Sequence, residues 1–434
     1  MKTPKPDAKE STKSARLSFF FRALGSRNYR LFLAGQGISL IGTWMQQIAM
    51  IWLVYRLTHS AFLLGVVGFA GQIPTFLFAP FAGVLADRLN RHRTIVVTQT
   101  LALLQAATLA TLVLTGTAEV WHLVALAVIL GTVNALDMPV RQSFVVQMIE
   151  RKEDLGNAIA LNSAMVTATR LIGPSIAGIL IGAFGEGICF LVNALSYVAV
   201  IAALLAMRVE RPPARPANGR MIDGLKEGLA YAAGFAPVRN ILLLLALIGF
   251  MGMPYHILMP VFAKDVLGGG AHTLGFLMGA AGLGALVGTV YLAMRKSIRG
   301  FGRIITAAAT VFGFGLIAFS LSRVVWLSML LAFVVGLGMM AQIAFSNTVI
   351  QTIVDDDKRG RVMSLFTMAF IGMTPFGSLF AGALASRIGA PNTLAIGGGF
   401  CVAGGIVFAS RLKAMRRILH PLYRKMGIMS DVPA

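Results

Sequence analysis

Charge is scarce in this chain. Asp, Glu, Lys and Arg make up 13% of its 434 residues, against about 25% in a soluble domain. With 57% of residues hydrophobic and a mean hydropathy of +0.77, a water-soluble fold would lack the polar surface to stay dispersed. Cysteine is scarcer still: Cys189 and Cys401 are the whole complement, and both lie in apolar segments. That excludes a disulfide framework or thiolate metal centre and leaves two small core residues. Short alternating segments of the β-barrel kind are absent too. No Walker loop, His/Cys metal cluster or nucleophile elbow is present, and GGGA and GGGF only punctuate apolar runs. An enzyme is therefore not expected, nor is any cofactor or metal. Acids are also few, 17 against 38 bases, for a formal net charge of +21. On a soluble protein that excess would suggest nucleic acid.

What is there is long apolar runs. Clustered charges leave stretches of about 20 residues or more, each able to cross about 30 Å of hydrocarbon. Twelve are expected, at about 30–55, 62–86, 94–115, 121–147, 156–182, 187–207, 239–262, 272–294, 303–321, 324–349, 361–386 and 393–411. This predicts an all-α polytopic membrane protein with twelve transmembrane helices in two six-helix pseudo-repeats. The halves divide at MRVERPPARPAN, ending at Asn218, too polar and proline-rich to span a bilayer. The expected organisation is a cytoplasmic tail 1–29, a bundle 30–208, a cytoplasmic linker 209–238 with a surface helix, a bundle 239–412 and a cytoplasmic tail 413–434. Of the 38 bases, 33 fall on the N-terminal tail, even-numbered connections and C-terminal tail. Four fall on the other face (Arg56, Lys264, Arg323 and Arg387), and Arg170 is left inside a span. Sorting of this kind is the positive-inside pattern, so both termini are expected in the cytoplasm and nucleic acid is not needed. The halves also echo each other at an offset of 204, with Gln147 and Gly156 matching Gln351 and Gly360. Such repeats suit a transporter whose substrate site lies between them.

Two stretches carry more than hydropathy. GVLADRLNRHR, from Gly83 to Arg93, puts an acid and three arginines between spans two and three. A basic anchor would explain Arg88, Arg91 and Arg93. It would not explain Asp87 or the glycine. In span five, Gly173, Pro174, Ala177 and Gly178 combine a helix kink with small residues that admit a close neighbour. The pattern Gly83-x-x-x-Asp87-Arg88-x-x-Arg91-x-Arg93 resembles the signature loop of the major facilitator superfamily. The span-five piece is similar to the Gly-Pro antiporter motif of that superfamily's exporters, with Thr169 where glycine is usual. Phrases such as NYRLFLAGQGISLIGTWMQQ, NALDMPVRQSF and RGRVMSLFTMAF resemble its bacterial drug- and siderophore-efflux branch, which includes macrolide and enterobactin exporters. GTVYLAMRKSIRGFGR in the second half has no acid at the Asp87 position.

The resemblance implies the major facilitator fold and a secondary transporter in a bacterial cytoplasmic (inner) membrane, working as a monomer. It implies export of a small amphipathic molecule (a drug, siderophore or related metabolite) by proton antiport and alternating access. It also implies that Asp87, with help from Arg141, holds the cytoplasmic start of span eleven as a latch. A lipid flippase, an importer or uniporter, and a non-transporting sensor stay open as other readings.

Inside the spans, Asp137 is the only deep acid and Arg170 the only deep base, both within about 5 Å of the midplane. Asn134, Asp137 and Arg141 share a face of span four; Ser163, Thr167 and Arg170 share one of span five. Groups this deep are costly and face partners or a cavity. Asp137, Arg141 and Arg170 are therefore the expected proton-coupling or substrate residues, if they are not a structural ion pair. Gln36, Ser39, Thr43 and Gln47 form a stripe in span one, and Gln342 with Ser346 a shorter one in span ten. With Asn134 these are expected to line a cavity. Tyr255 and His256 are expected near the outer end of span seven, with His256 at the interface.

Overall fold

The protein is seen in a computed structural model that describes residues 22–208, 221–295 and 300–425, with backbone alone at 79–88, 152, 221–225, 422, 424 and 425. The side chains of Asp87 and Arg88 therefore lie outside the described residues, as does Gly83 beyond its backbone. Twelve helices are long and apolar enough to cross a membrane. Spans one to six are Arg27–Thr58, Ala61–Phe78, Arg91–Leu114, Val120–Met148, Leu155–Phe184 and Glu186–Leu205. Spans seven to twelve are Ala236–Val266, Ala271–Ala293, Phe301–Leu321, Val325–Ile353, Asp356–Ile388 and Ala390–Pro421. No strand occurs among the described residues. In hydrocarbon a backbone N–H has only its own helix to bond with, so apolar composition and helix go together.

The connections are tighter than the hydropathy suggests. The helix of span two runs on to Arg88, and span three starts at Arg91. Only Leu89 and Asn90 intervene, and the Asn90 side chain caps the new helix by accepting from the Arg93 N–H at 3.1 Å. Spans five and six meet at Gly185, whose φ of 81° is cheap only without a Cβ. Span seven is interrupted twice by wide π turns, at Ile248–Gly252 and Phe262–Val266. Span eleven breaks between Phe370 and Thr374, ahead of Pro375 in the first turn of its second piece. The helix Met221–Gly234 packs against the start of span eleven. There Glu227 meets Arg361, and the Lys358 ammonium lies 5.0 Å from the Tyr231 ring centre.

The two halves grip each other through small residues. Span two packs along the second piece of span eleven, and span five along span eight. A Cβ on Gly178 would stand 2.8 Å from Gly275 Cα, and one on Gly275 would stand 2.7 Å from Gly178 Cα. Gly65 and Gly382 repeat the arrangement, with a Cβ on Gly382 falling 2.8 Å from Gly65 Cα. Gly178 and Gly382 are themselves related by the 204 offset. Backbones approach this closely only where side chains are absent. Both contacts sit toward the charge-poor face, where Tyr55 of span one also donates to the Asp265 carboxylate of span seven. Arg56 pairs with Glu186 on that face at 2.7 Å. The halves are thus closed together at the charge-poor face.

Gly178→Ala places a methyl against backbone that cannot turn aside. It should cost about 1–3 kcal/mol in this closed arrangement. We expect a lower melting temperature in detergent and a longer spin-label distance between the span one–two and seven–eight connections. Unchanged values for both would show that this contact does not hold the halves.

Candidate functional site

Asp137 sits near the middle of span four, with 2% of its surface exposed. Its carboxylate is fully engaged. Oδ1 accepts from Thr98 Oγ1 at 2.7 Å and from Gln99 Nε2 at 2.9 Å, both on span three. Oδ2 meets Arg141 Nη2 at 3.1 Å, one turn along the same helix. The Arg141 side chain keeps 21% of its surface exposed. The ion pair therefore has a buried acidic end and a basic end that reaches open space. Two neutral donors and a cation thus satisfy both oxygens of the buried carboxylate.

Arg170 is elsewhere. Among the described residues it meets no carboxylate, so the structure does not join it to Asp137. Its guanidinium lies 5.5 Å from the ring centre of Trp44, a cation–π contact. Gly173 makes the room: a Cβ there would fall 2.5 Å from Trp44 Cβ. The Gly-Pro segment thus has two faces at work. Gly178 seats span eight, while Gly173 seats the ring that carries Arg170. Ala177 between them is fully buried. Arg170, Trp44 and Pro174 line a cavity of about 10 Å³ with Tyr255, His256, Met278 and Met339 of the second half. That is room for about one water molecule. The Tyr255 Oη and His256 Nε2 atoms are buried there without a hydrogen-bond partner in the protein.

The expected place of His256 is corrected by this. It is half-buried beside the junction of the halves, with its Nε2 buried, and not at the interface. Span seven extends to Val266, further than its hydropathy suggests. Two π turns also re-aim the residues between them.

The other polar residues divide. Gln36 and Ser39 are buried, and Gln36 Oε1 has no partner. Thr43 donates to the Ser39 carbonyl at 2.9 Å and lies 3.5 Å from Tyr197 Oη. Gln47 is exposed and Asn134 half-buried. Gln342 and Ser346 have no exposed surface, and Gln342 Nε2 reaches Ser346 Oγ at 3.4 Å. Ser163 is exposed and Thr167 half-buried, and each bonds a carbonyl of its own helix. Arg91 is half-buried and Arg93 exposed at the start of span three. Sequence reasoning overlooked Thr98 and Gln99. It also overlooked a buried chain in which Asn193 donates to Gln46 at 2.7 Å and Gln46 to Gln105 at 3.0 Å. Their signal was available: an amide inside an apolar run needs a partner. A second cavity, about 550 Å³, lies between spans eight, nine and ten beside Tyr291 and Arg303.

The profile of a family described as transmembrane secretion effector matches residues 21–422. The staphyloferrin A transporter of Staphylococcus aureus is 26% identical over 85% of this chain and 92% of its own length. The multidrug efflux pump Tap of Mycolicibacterium fortuitum is 26% identical, over 88% of this chain and 94% of its own. Macrolide efflux protein A of Streptococcus pyogenes is 23% identical over 86% and 93%. A solved bacterial homologue of the human lysosomal transporter Spinster, inward-facing and unoccupied, superposes with a TM-score of 0.64 at 16% identity. It covers 94% of this chain and 98% of its own. The POT family transporter PepTSo gives 0.70 at 13% identity over 90% and 99%. At these identities the solved structures share the fold.

The Asp137 pair generates an asymmetric expectation. Arg141→Ala strands a buried carboxylate on two neutral donors. Asp137→Ala leaves a cation that can turn outward and a neutral Gln99 donor without its acceptor, while Thr98 keeps the Ile95 carbonyl. Thermal unfolding in detergent should show Arg141→Ala as the more damaging by about 1–3 kcal/mol, with the double variant recovering part of the loss. The reverse order would mean that the pair is not anchored at its acidic end.

Proposed function

This chain belongs to the transmembrane secretion effector family of the major facilitator superfamily, and from that premise we propose that it exports a small amphipathic molecule in exchange for protons. The charge-rich face is the cytoplasmic one, by the positive-inside pattern, in the cytoplasmic membrane of a bacterium. The conformation described is then inward-open, since the halves are packed together at the opposite face. Two relatives named as efflux proteins support the outward direction.

The observation that carries the proton reading is Asp137. It is a deep carboxylate whose basic partner, Arg141, reaches open space. Protonation would cancel the ion pair and free Arg141. In the outward-open state Arg141 would instead help Asp87 hold the start of span eleven. One arginine with two alternative partners makes a switch, because it can satisfy only one of them fully at a time. In the outward-open state Asp137, without that cation beside it, would take a proton from outside and permit return to the inward-open state. Loss of that proton to the cytoplasm would restore the pair. Arg170 at the junction of the halves would receive the cargo.

Asp137→Asn keeps size and hydrogen-bonding capacity but cannot carry the proton. In proteoliposomes it should retain substrate exchange and lose accumulation driven by a pH gradient. Concentration of substrate against its gradient by Asp137→Asn, with only ΔpH imposed, would rule out Asp137 as the coupling acid.

A further inference from the structure

We propose that the Arg170 cavity is a subsite for a carboxylate carried by the exported molecule. The proposal rests on the export reading above and names the substrate class. It starts from a donor inventory. A guanidinium has only donors, a tyrosine hydroxyl donates one proton, and a histidine Nε2 donates in one tautomer. Arg170, Tyr255 and His256 bring all three to one small space, and none has an acceptor there. Among the described residues no carboxylate answers Arg170, and the Tyr255 Oη and His256 Nε2 atoms have no partner in the protein. Such a set calls for an acceptor-rich group bearing one negative charge. A carboxylate supplies two oxygens in the geometry of the guanidinium fork. A water molecule fits the space but leaves the guanidinium charge uncompensated.

The remaining walls describe the rest of the ligand. Trp44, Pro174, Met278 and Met339 surround the charged end with apolar and adaptable side chains. The space of about 10 Å³ admits a terminal group, not a whole substrate. The charged end is therefore inserted first, with an apolar body trailing between the halves. Trp44 and Arg170 belong to the first half, Tyr255 and His256 to the second. A carboxylate bound between them would bridge the two bodies whose relative motion is the transport step. One guanidinium with two neutral donors matches a monoanion better than a dianionic phosphate. Cargo with a single carboxylate on an aromatic or aliphatic body fits best.

The test uses dansyl-glycine and dansyl-glycinamide, which share a body and differ in the charge. Binding to the purified full-length protein in detergent is read by equilibrium dialysis and by energy transfer from tryptophan. The acid should bind about tenfold more tightly than the amide, the factor for one charge-assisted bond. In Arg170→Gln the preference should vanish, while an unchanged helical circular dichroism spectrum and melting temperature show that the variant is folded. Arg170→Lys should restore part of it. Tyr255→Phe should weaken the acid alone. Equal binding of acid and amide by the wild type, or failure of the acid to bind, overturns the subsite. So does a preference that survives Arg170→Gln. Competition by lysophosphatidylglycerol where the acid does nothing overturns it in favour of a lipid phosphate. Proton-driven transport that persists without any carboxylate preference would leave the export reading standing and remove only this one.

Discussion

A polar group inside a hydrocarbon layer has no water to fall back on. Most of this structure follows from that constraint. It forces the backbone into helices and keeps nearly all charges in the connections between apolar runs. It also favours partners for buried polar side chains. Asp137 finds them in Thr98, Gln99 and Arg141. Gln46 finds them in Gln105 and Asn193. These groups stitch neighbouring helices of the first half. Against that background the exceptions are informative. Arg170 is met by a ring instead of a carboxylate, and Tyr255 and His256 meet no protein partner. These three line one cavity where the two halves face each other.

The same constraint shapes how the halves meet. Lipid tails are as apolar as leucine, so burying more leucine between helices gains little. Close approach gains more, and glycine permits it. Gly178 against Gly275 and Gly65 against Gly382 bring backbones together at the charge-poor face. A seam of small residues makes few interlocking contacts, so it suits a junction that must open. The Tyr55–Asp265 and Arg56–Glu186 links add polar contacts near that face. Span seven, with its two π turns, lies along this seam and bends where a regular helix would not.

The two halves of this major facilitator protein are related in frame and unequal in chemistry. The frame repeats: span five on span eight mirrors span eleven on span two, and Gly178 and Gly382 occupy matching places. The chemistry does not. The deep acid–base pair belongs to span four alone, and the lone deep arginine to span five. Span eleven carries Pro375 and Gly377 but no base among them. Symmetry provides the hinge, and its breaking provides the binding and switching groups.

Hydropathy, charge placement and two short motifs determined the number of spans, the fold and the identity of the odd ionisable residues. These are local or one-dimensional properties, and apolar length plus charge sorting reads directly along the chain. The rotation of each helix about its axis was another matter. Spans that are apolar on every side carry no amphipathic stripe to announce which face meets which neighbour. Tertiary structure therefore decided that Asp137 turns to span three and to its own Arg141, leaving Arg170 to Trp44. It decided that His256 points inward, because π turns within span seven shift the register of every residue beyond them. It also decided that Gly173 and Gly178 serve different neighbours. A helix presents each residue to one direction only, and that direction is set by contacts with other helices, far from it in the chain.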